Sequence, residues 1–213
     1  MAAIAPPGHW PHPREAMNPQ RVACKFFVQP DPTAPVDLHP FIGLFHRFIQ
    51  EAVLPGLLID VADYAHVPEG PGVLLIGHDV DYGLDLAGGR AGLLTTRKRL
   101  DGASLVEALG DTLLRGLRAI EAIEKDGSTG LRFDPRSVTV QVVDRLAAPN
   151  HDDGYAALAV EVAPVLARLY GEKVEVSRAN ADDPRKCLAL RAVAQEGDSA
   201  AALADRLEEE GSR

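Results

Sequence analysis

The sequence predicts an α+β domain, a largely antiparallel sheet with helices packed on one face. Short apolar or alternating runs recur between Gly/Pro turn signals, so hairpins outnumber crossovers. Two long stretches carry the 3.6-residue apolar period of amphipathic helices. The patterns follow the order β-α-β-β-β-α, then β-α-β-β, then a tail helix. The unit strand–helix–strand–strand thus occurs twice, over Val22–Leu86 and Ser137–Val193, a structural pseudo-repeat with no sequence similarity between its halves.

The chain has 213 residues, 46% hydrophobic and 25% charged, which suits one ample globular domain. Residues 1–20 hold Pro6, Pro7, Pro11, Pro13 and Pro19 without apolar periodicity and read as a disordered lead. His9 and His12 there flank Trp10 and read as incidental rather than metal-binding. Residues 21–195 form the single domain, with 21–126 and 127–195 as its halves, and 196–213 an acidic tail, a short helix or disordered.

Val22–Gln29 is a compact apolar strand with Cys24 as a buried, reduced thiol. Pro40–Ala52 is a helix, because Phe41, Leu44, Phe45, Phe48 and Ile49 make one stripe, with His46 at its boundary. Leu57–Tyr64 is a strand in which Asp60 and Asp63 face opposite sides. Val73–Leu86 reads as one long strand bent at Gly77, with His78, Val80, Tyr82 and Leu84 on one face and Asp79, Asp81 and Asp85 on the other. Gly88-Gly89 is a two-residue turn signal that tolerates positive φ at both positions. As the hairpin loop, it sets Asp79 opposite Lys98, Asp81 opposite Thr96, Tyr82 opposite Thr95 and Leu84 opposite Leu93. Thr95, Arg97 and Arg99 then share the face of Tyr82.

Ser104–Lys125 is the longest helix, opened by the capping box Ser104/Glu107 and stopped at Asp126-Gly127. Ser137–Leu146 alternates as a half-buried strand. Tyr155–Tyr170 has helical period, but Pro164 predicts a kink or two short helices. Lys173–Ser177 and Cys187–Val193 read as partner strands, with Cys187 a second structural thiol. The tail beyond Asp198 offers only Leu203 and Leu207 for burial, a helix prone to fray.

The net charge of −9 is unevenly placed. Residues 57–85 hold six acids and no Lys or Arg, residues 86–99 four bases and no acid, and residues 195–213 six acids against two bases. An acidic chain argues against a nucleic-acid binder, which needs a basic footprint. No apolar run nears the ~20 residues of a bilayer span, and no basic-then-apolar leader opens the chain. Two cysteines make no disulfide framework, so the expected compartment is the cytoplasm.

No phosphate-loop, nucleophile-elbow, C-x-x-C or H-E-x-x-H motif occurs. The chemistry-bearing density lies at residues 60–82. Imidazole beside carboxylate can hold a divalent metal or supply an acid and a base. The metal candidates are Asp60, Asp63, His78, Asp79 and Asp81. The ligand-binding candidates are His66 in the Gly/Pro loop, His78, Tyr82, and Arg97 as an anion holder. The bland reading of the same residues is solvated carboxylates, charges paired across a hairpin and a hydrogen-bonded histidine.

The stretch LIDVADYAHVPEGPGVLLIGHDVDYGLD, Leu58–Asp85, resembles a group of bacterial proteins to which no activity is assigned, and the similarity extends to Asp144–Asn150. The resemblance implies a bacterial protein and transfers no catalytic residue. The function expected is therefore a cytoplasmic, non-catalytic binding or assembly protein, with a protein partner or a second copy of the chain. The alternative is a metal-, haem- or small-anion-binding protein or enzyme using the 60–82 cluster.

Overall fold

A computed structural model of the chain describes residues 19–30, 35–67 and 70–209. The expectations for residues 1–18, His9, Trp10 and His12 among them, lie outside the described residues, as do those for 210–213.

The alternating runs condense into one sheet of eight strands. These are β1 (Val22–Val28), β2 (Leu58–Tyr64), β3 (Gly72–Gly77), β4 (Val80–Asp85), β5 (Gly92–Arg97), β6 (Phe133–Val142), β7 (Glu175–Ala179) and β8 (Ala189–Val193). Their order is β2-β3-β4-β5-β1-β6-β8-β7, and every neighbouring pair is antiparallel. The helices are α1 (His39–Gln50), α2 (Leu105–Asp126), α3 (Asp152–Tyr170) and α4 (Ala200–Glu209). The α+β class with an antiparallel sheet is as the sequence predicts.

Side chains alternate along a strand, so the register sorts the two faces. One transverse row runs Val61–Leu75–Tyr82–Thr95–Cys24–Val140–Leu190–Arg178. It belongs to the face that, with Phe41, Leu109, Leu117, Leu166 and Leu203 from the four helices, forms the buried core. The next row runs Ala62–Leu74–Gly83–Leu94–Lys25–Thr139–Arg191–Ser177 and faces away from that core. No described helix packs on this second face.

The pseudo-repeat takes a different form from strand–helix–strand–strand. β1 and β6, the first strands of the two halves, lie side by side and antiparallel at the middle of the sheet. Each also pairs with the last strand of its own half, β1 with β5 and β6 with β8, and each half closes with a helix. The first half carries two extra strands.

Local chemistry explains both the agreements and the departures. Pro40 opens α1, and Phe41 meets Phe45 edge to face at 5.5 Å. The Ser104/Glu107 box caps α2, and Gly127 ends it at φ 75°. Gly88 and Gly89 both take positive φ, and the β4–β5 register is the expected one, with Tyr82 opposite Thr95 and Leu84 opposite Leu93.

The long strand bent at Gly77 is in fact two, β3 and β4, joined by a tight turn at His78-Asp79. A Cβ on Gly77 would sit 2.3 Å from the Val80 carbonyl oxygen, so the turn needs glycine. β6 starts at Phe133, because residues 135–137 bulge out of register with β1, around a proline that has no N–H to pair. Pro164 does not break α3. The carbonyl it orphans belongs to Val160, whose side chain is 77% exposed on the helix's wet side.

Nor does the tail fray. Ala200, Leu203, Ala204 and Leu207 form a buried stripe, and α4 packs on α2 and α3. Counting the two leucines without the two alanines hid that stripe. No described helix is long and apolar enough to cross a membrane.

Candidate functional site

The 60–82 residues are dispersed along a hairpin rather than gathered. Leu58 pairs with Gly77 and Tyr64 with Gly72, so His66 and His78 sit near opposite ends of the β2–β3 ribbon. At ~3.3 Å per residue, the six residues from Leu58 to Tyr64 separate those ends by roughly 20 Å. His66 is exposed and stacks on Tyr64 at 6.5 Å. Asp60 and Asp63 point to opposite faces and accept hydrogen bonds from the Val61 and Ala65 N–H groups.

His78 Nδ1 lies 2.7 Å from Asp79 Oδ1, and this hydrogen bond holds the exposed Asp79 carboxyl below the usual carboxylate range. Asp81 accepts from the Gly77 N–H and pairs with Lys98 at 2.9 Å, while Lys98 also donates to the Gly77 carbonyl at 2.7 Å. These two residues clamp the β3–β4 turn. Lys98 thus engages Asp81, diagonal to it, while its backbone N–H meets the carbonyl of Asp79 opposite. Among the described residues no three His, Cys, Asp or Glu side chains are grouped to hold a metal.

Tyr82 and Arg97 do come together, on the helix-covered face. Arg97 Nη1 donates to Asp111 on α2 at 2.5 Å, and Arg115 Nε donates to the same carboxylate at 2.9 Å. Arg115 also donates to the Pro55 carbonyl. The Tyr82 side chain is 1% exposed beside Arg115, and burial pushes its phenol pKa up. Its hydroxyl and that of Thr95 make no hydrogen bond of good geometry. Burial likewise pushes up the thiol of Cys24, opposite Thr95. Gly116 of α2 rides over this spot, where a Cβ would come 3.0 Å from Thr95 Oγ1. The arrangement pins α2 to β4 and β5. A nearby pocket, lined by Pro55, Leu57, Asp79 and Arg115, is only ≈10 Å³, room for about one water.

The uncovered face carries a different constellation, which the sequence reading did not single out. Phe27 is the outward residue near the end of β1. The Arg90 guanidinium lies 4.1 Å from its ring centroid, Lys25 Nζ 5.5 Å and the Arg191 guanidinium 5.6 Å. Lys25 is buried and extends across β5 to β4, where its ammonium donates to Asp85 at 2.6 Å and to the Ala87 carbonyl at 3.2 Å. Gly92 lies beneath that path, 2.9 Å from Lys25 Cε if given a Cβ.

Arg191 Nε donates to the neutral hydroxyl of Ser137 at 3.1 Å, and no described carboxylate pairs with this guanidinium. Asp134, opposite Phe27 on β6, pairs with Arg136 at 2.9 Å. The space over Gly83 is taken by the Leu74 side chain and that over Gly92 by the Lys25 stem, with Leu94 paired opposite Gly83. One signal was available in VACKFFV: a lysine in an otherwise apolar run marks the strand's second face as something other than core.

On the helix side, a cleft of ≈240 Å³ opens between Arg136, Tyr170, Glu196, Asp198 and Arg206. Both of its arginines have carboxylate partners, Arg206 in Asp198 at 2.6 Å and Arg136 in Asp134. The Tyr170 hydroxyl donates to the Pro135 carbonyl at 2.7 Å.

Compared with the models of known protein families and with the curated proteins, the chain matches none.

Proposed function

We propose that this chain is a cytoplasmic, non-catalytic bacterial binding protein whose working surface is the uncovered face of its sheet. One observation carries the reading. All four helices contribute to a core on one side, and the other side presents half-buried Leu74, Ile76, Leu94 and Arg191 around the Phe27 cluster. A sheet face built with apolar, aromatic and cationic groups is suited to contact. The two unpaired cysteines fit a reducing compartment, the resemblance of Leu58–Asp85 supplies the bacterial source, and the net charge of −9 disfavours nucleic acid.

The test is amide chemical-shift mapping on the full chain with indole, imidazole, benzoate and phenyl phosphate as probes. Shifts are expected to cluster on Leu74, Leu94, Lys25, Thr139 and Arg191. Shifts confined to the Arg136/Arg206 cleft or to the β2 edge would overturn the assignment.

A further inference from the structure

We infer that the uncovered face closes on a second copy of this chain, the two sheets stacked about a twofold axis that runs along the strands between β5 and β1. This inference rests on the preceding assignment of that face as the binding surface and names what it binds.

The first support is area. Eight strands ~4.8 Å apart, each about six residues long at ~3.3 Å per residue, make a face of roughly 750 Å². A stable interface of standard size takes about 800 Å² from each partner. The face can also be approached closely. Leu74 lies over Gly83 and the Lys25 stem over Gly92, so neither glycine leaves a pit. The row beside Lys25 runs Thr96–Ala23–Gln141–Ala189–Ala179, with three alanines among its five residues. Such a surface suits face-to-face packing of two sheets about 10 Å apart.

The second support is charge. A chain of net charge −9 repels its own copies over most of its surface. On this face the charges are largely matched, Lys25 with Asp85, Lys98 with Asp81 and Asp134 with Arg136. Arg191 on β8, Glu175 on β7 and Asp60 on β2 form no ion pair among the described residues. Six strand spacings of ~4.8 Å put Asp60 and Arg191 roughly 30 Å apart, too far to meet within one copy. A twofold axis between the central strands exchanges the two ends of the face and brings each to the other.

The third support is the way the two halves complement each other. The β3–β5 half presents Leu74, Ile76 and Leu94, and the β6–β8 half Thr139, Gln141 and Arg191. Leu94 and Lys25 stand opposite each other on the two central strands. Leu74 and Arg191 lie in the same transverse row, each two strands further out. The axis therefore sets Leu94 on the Lys25 stem of the second copy and Leu74 on its Arg191 stem. Long cationic side chains cover apolar surface with their stems and leave their heads free. The head of Arg191 then has Asp60 of the second copy on the strand next to Leu74. Every contact occurs twice, as in any isologous interface.

The experiment is sedimentation equilibrium on the full chain, from micromolar to millimolar concentration. The mass should rise from 22.8 kDa towards twice that value. Small probes reach the face in the monomer, so saturating indole should draw the equilibrium back towards it. Asp60→Lys and Arg191→Glu should each weaken self-association at least tenfold. An equimolar mixture of the two variants should recover it, because both charge contacts of the mixed pair again join opposite signs. Leu94→Glu, at the axis, should abolish association. Arg206→Gln in the helix-side cleft should leave it unchanged.

Should either charge-reversed variant fail to give a native amide spectrum, Asp60→Asn and Arg191→Gln decide in its place, each expected to weaken association severalfold. If the chain stays monomeric while the probes still shift the face, the second-copy inference falls and the binding surface stands. A dimer indifferent to these substitutions, or no recovery in the mixture, also overturns it. So does a monomer in which the Trp10 indole contacts Leu94, which would assign the face to the chain's own residues 1–18. If the chain is monomeric and no probe shifts the face, both the inference and the proposed function fall.

Discussion

Lys25 and Asp85, on strands separated by β5, meet at 2.6 Å across the bare backbone of Gly92. Both side chains are close to nine-tenths buried, on the face without helices. Removing one partner strands the other charge, which costs about 3–5 kcal/mol. Lys25→Met should therefore lower the urea midpoint steeply, as should Asp85→Leu. The double variant should recover most of the loss, because two apolar residues leave no charge behind. Additive single losses in this cycle would show that the pair is not coupled.

Gly92→Ala tests the same crossing from below. Its methyl would come 2.5 Å from the Phe26 carbonyl oxygen as well as crowding Lys25. A backbone oxygen cannot rotate away, so overpacking of about 1–3 kcal/mol is expected in chemical denaturation. Gly88→Ala, in open space at φ 74°, should cost less and only through backbone strain.

The carboxy-terminal helix offers a contrast between burial and charge. Leu203 and Leu207 are 2% and 4% exposed, whereas the carboxylates that Arg118 reaches, Asp205 and Glu208, are about half exposed. Leu203→Ala should cost about 2–4 kcal/mol by leaving a cavity against α2. Arg118→Ala should cost about 1 kcal/mol or less, since solvent screens pairs of that kind. Thermal melts of the two variants, at low and high salt, separate the contributions. A larger loss for Arg118→Ala would reverse the ranking.

Acid should loosen the contact between α1 and the end of α2. Hydrogen bonds from Ser128 and then Arg47, with the charge of Arg47, hold the Asp126 carboxyl below its usual range. A carboxyl depressed in the folded state adds stability that is fully present above the ordinary Asp pKa of about 4. That stability is lost as pH falls through the folded value. Asp126→Asn should therefore lower the Tm at pH 7 and shrink the further loss between pH 4 and pH 2. Parallel melts of parent and variant with equal slopes over that interval would refute the assignment.

Thiol labelling gives a quick check on β1. Cys24 is buried, and desolvation pushes its pKa up, so the nucleophilic thiolate is suppressed. Cys187 is partly exposed. A disulfide reagent added to the native protein should modify Cys187 alone, and both cysteines after unfolding. Labelling of Cys24 at native rates would mean that β1 opens readily.

Much of this fold was legible because its information is local. Gly88-Gly89 announced a turn, and the turn set a register that places Asp81, Tyr82 and Leu84 where the structure has them. Ser104 and Glu107 announced a helix start in the same way. Departures arose where a residue answers to a distant partner. Gly77 belongs to a turn that Lys98 closes from β5, and the Pro135 bulge exists only relative to β1. The 60–82 side chains cluster in sequence, but an extended ribbon spaces them far apart. Arg191 meets Phe27 across 164 positions of sequence, through a strand order no short motif encodes.

The adjacency of β1 and β6 also shapes how a ribosome must deliver this chain. All seven residues of β1 are buried, yet one of its two edges is closed only by β6, whose Val142 pairs with Val22. During synthesis that edge waits for more than a hundred further residues, although β5 and α2 are already available to it. An apolar strand with open backbone hydrogen-bonding groups is a template for any passing strand. Translation pauses before residue 142, or truncations in that interval, would therefore leave a sticky intermediate. The sequence between α2 and β6 carries the burden of arriving in time.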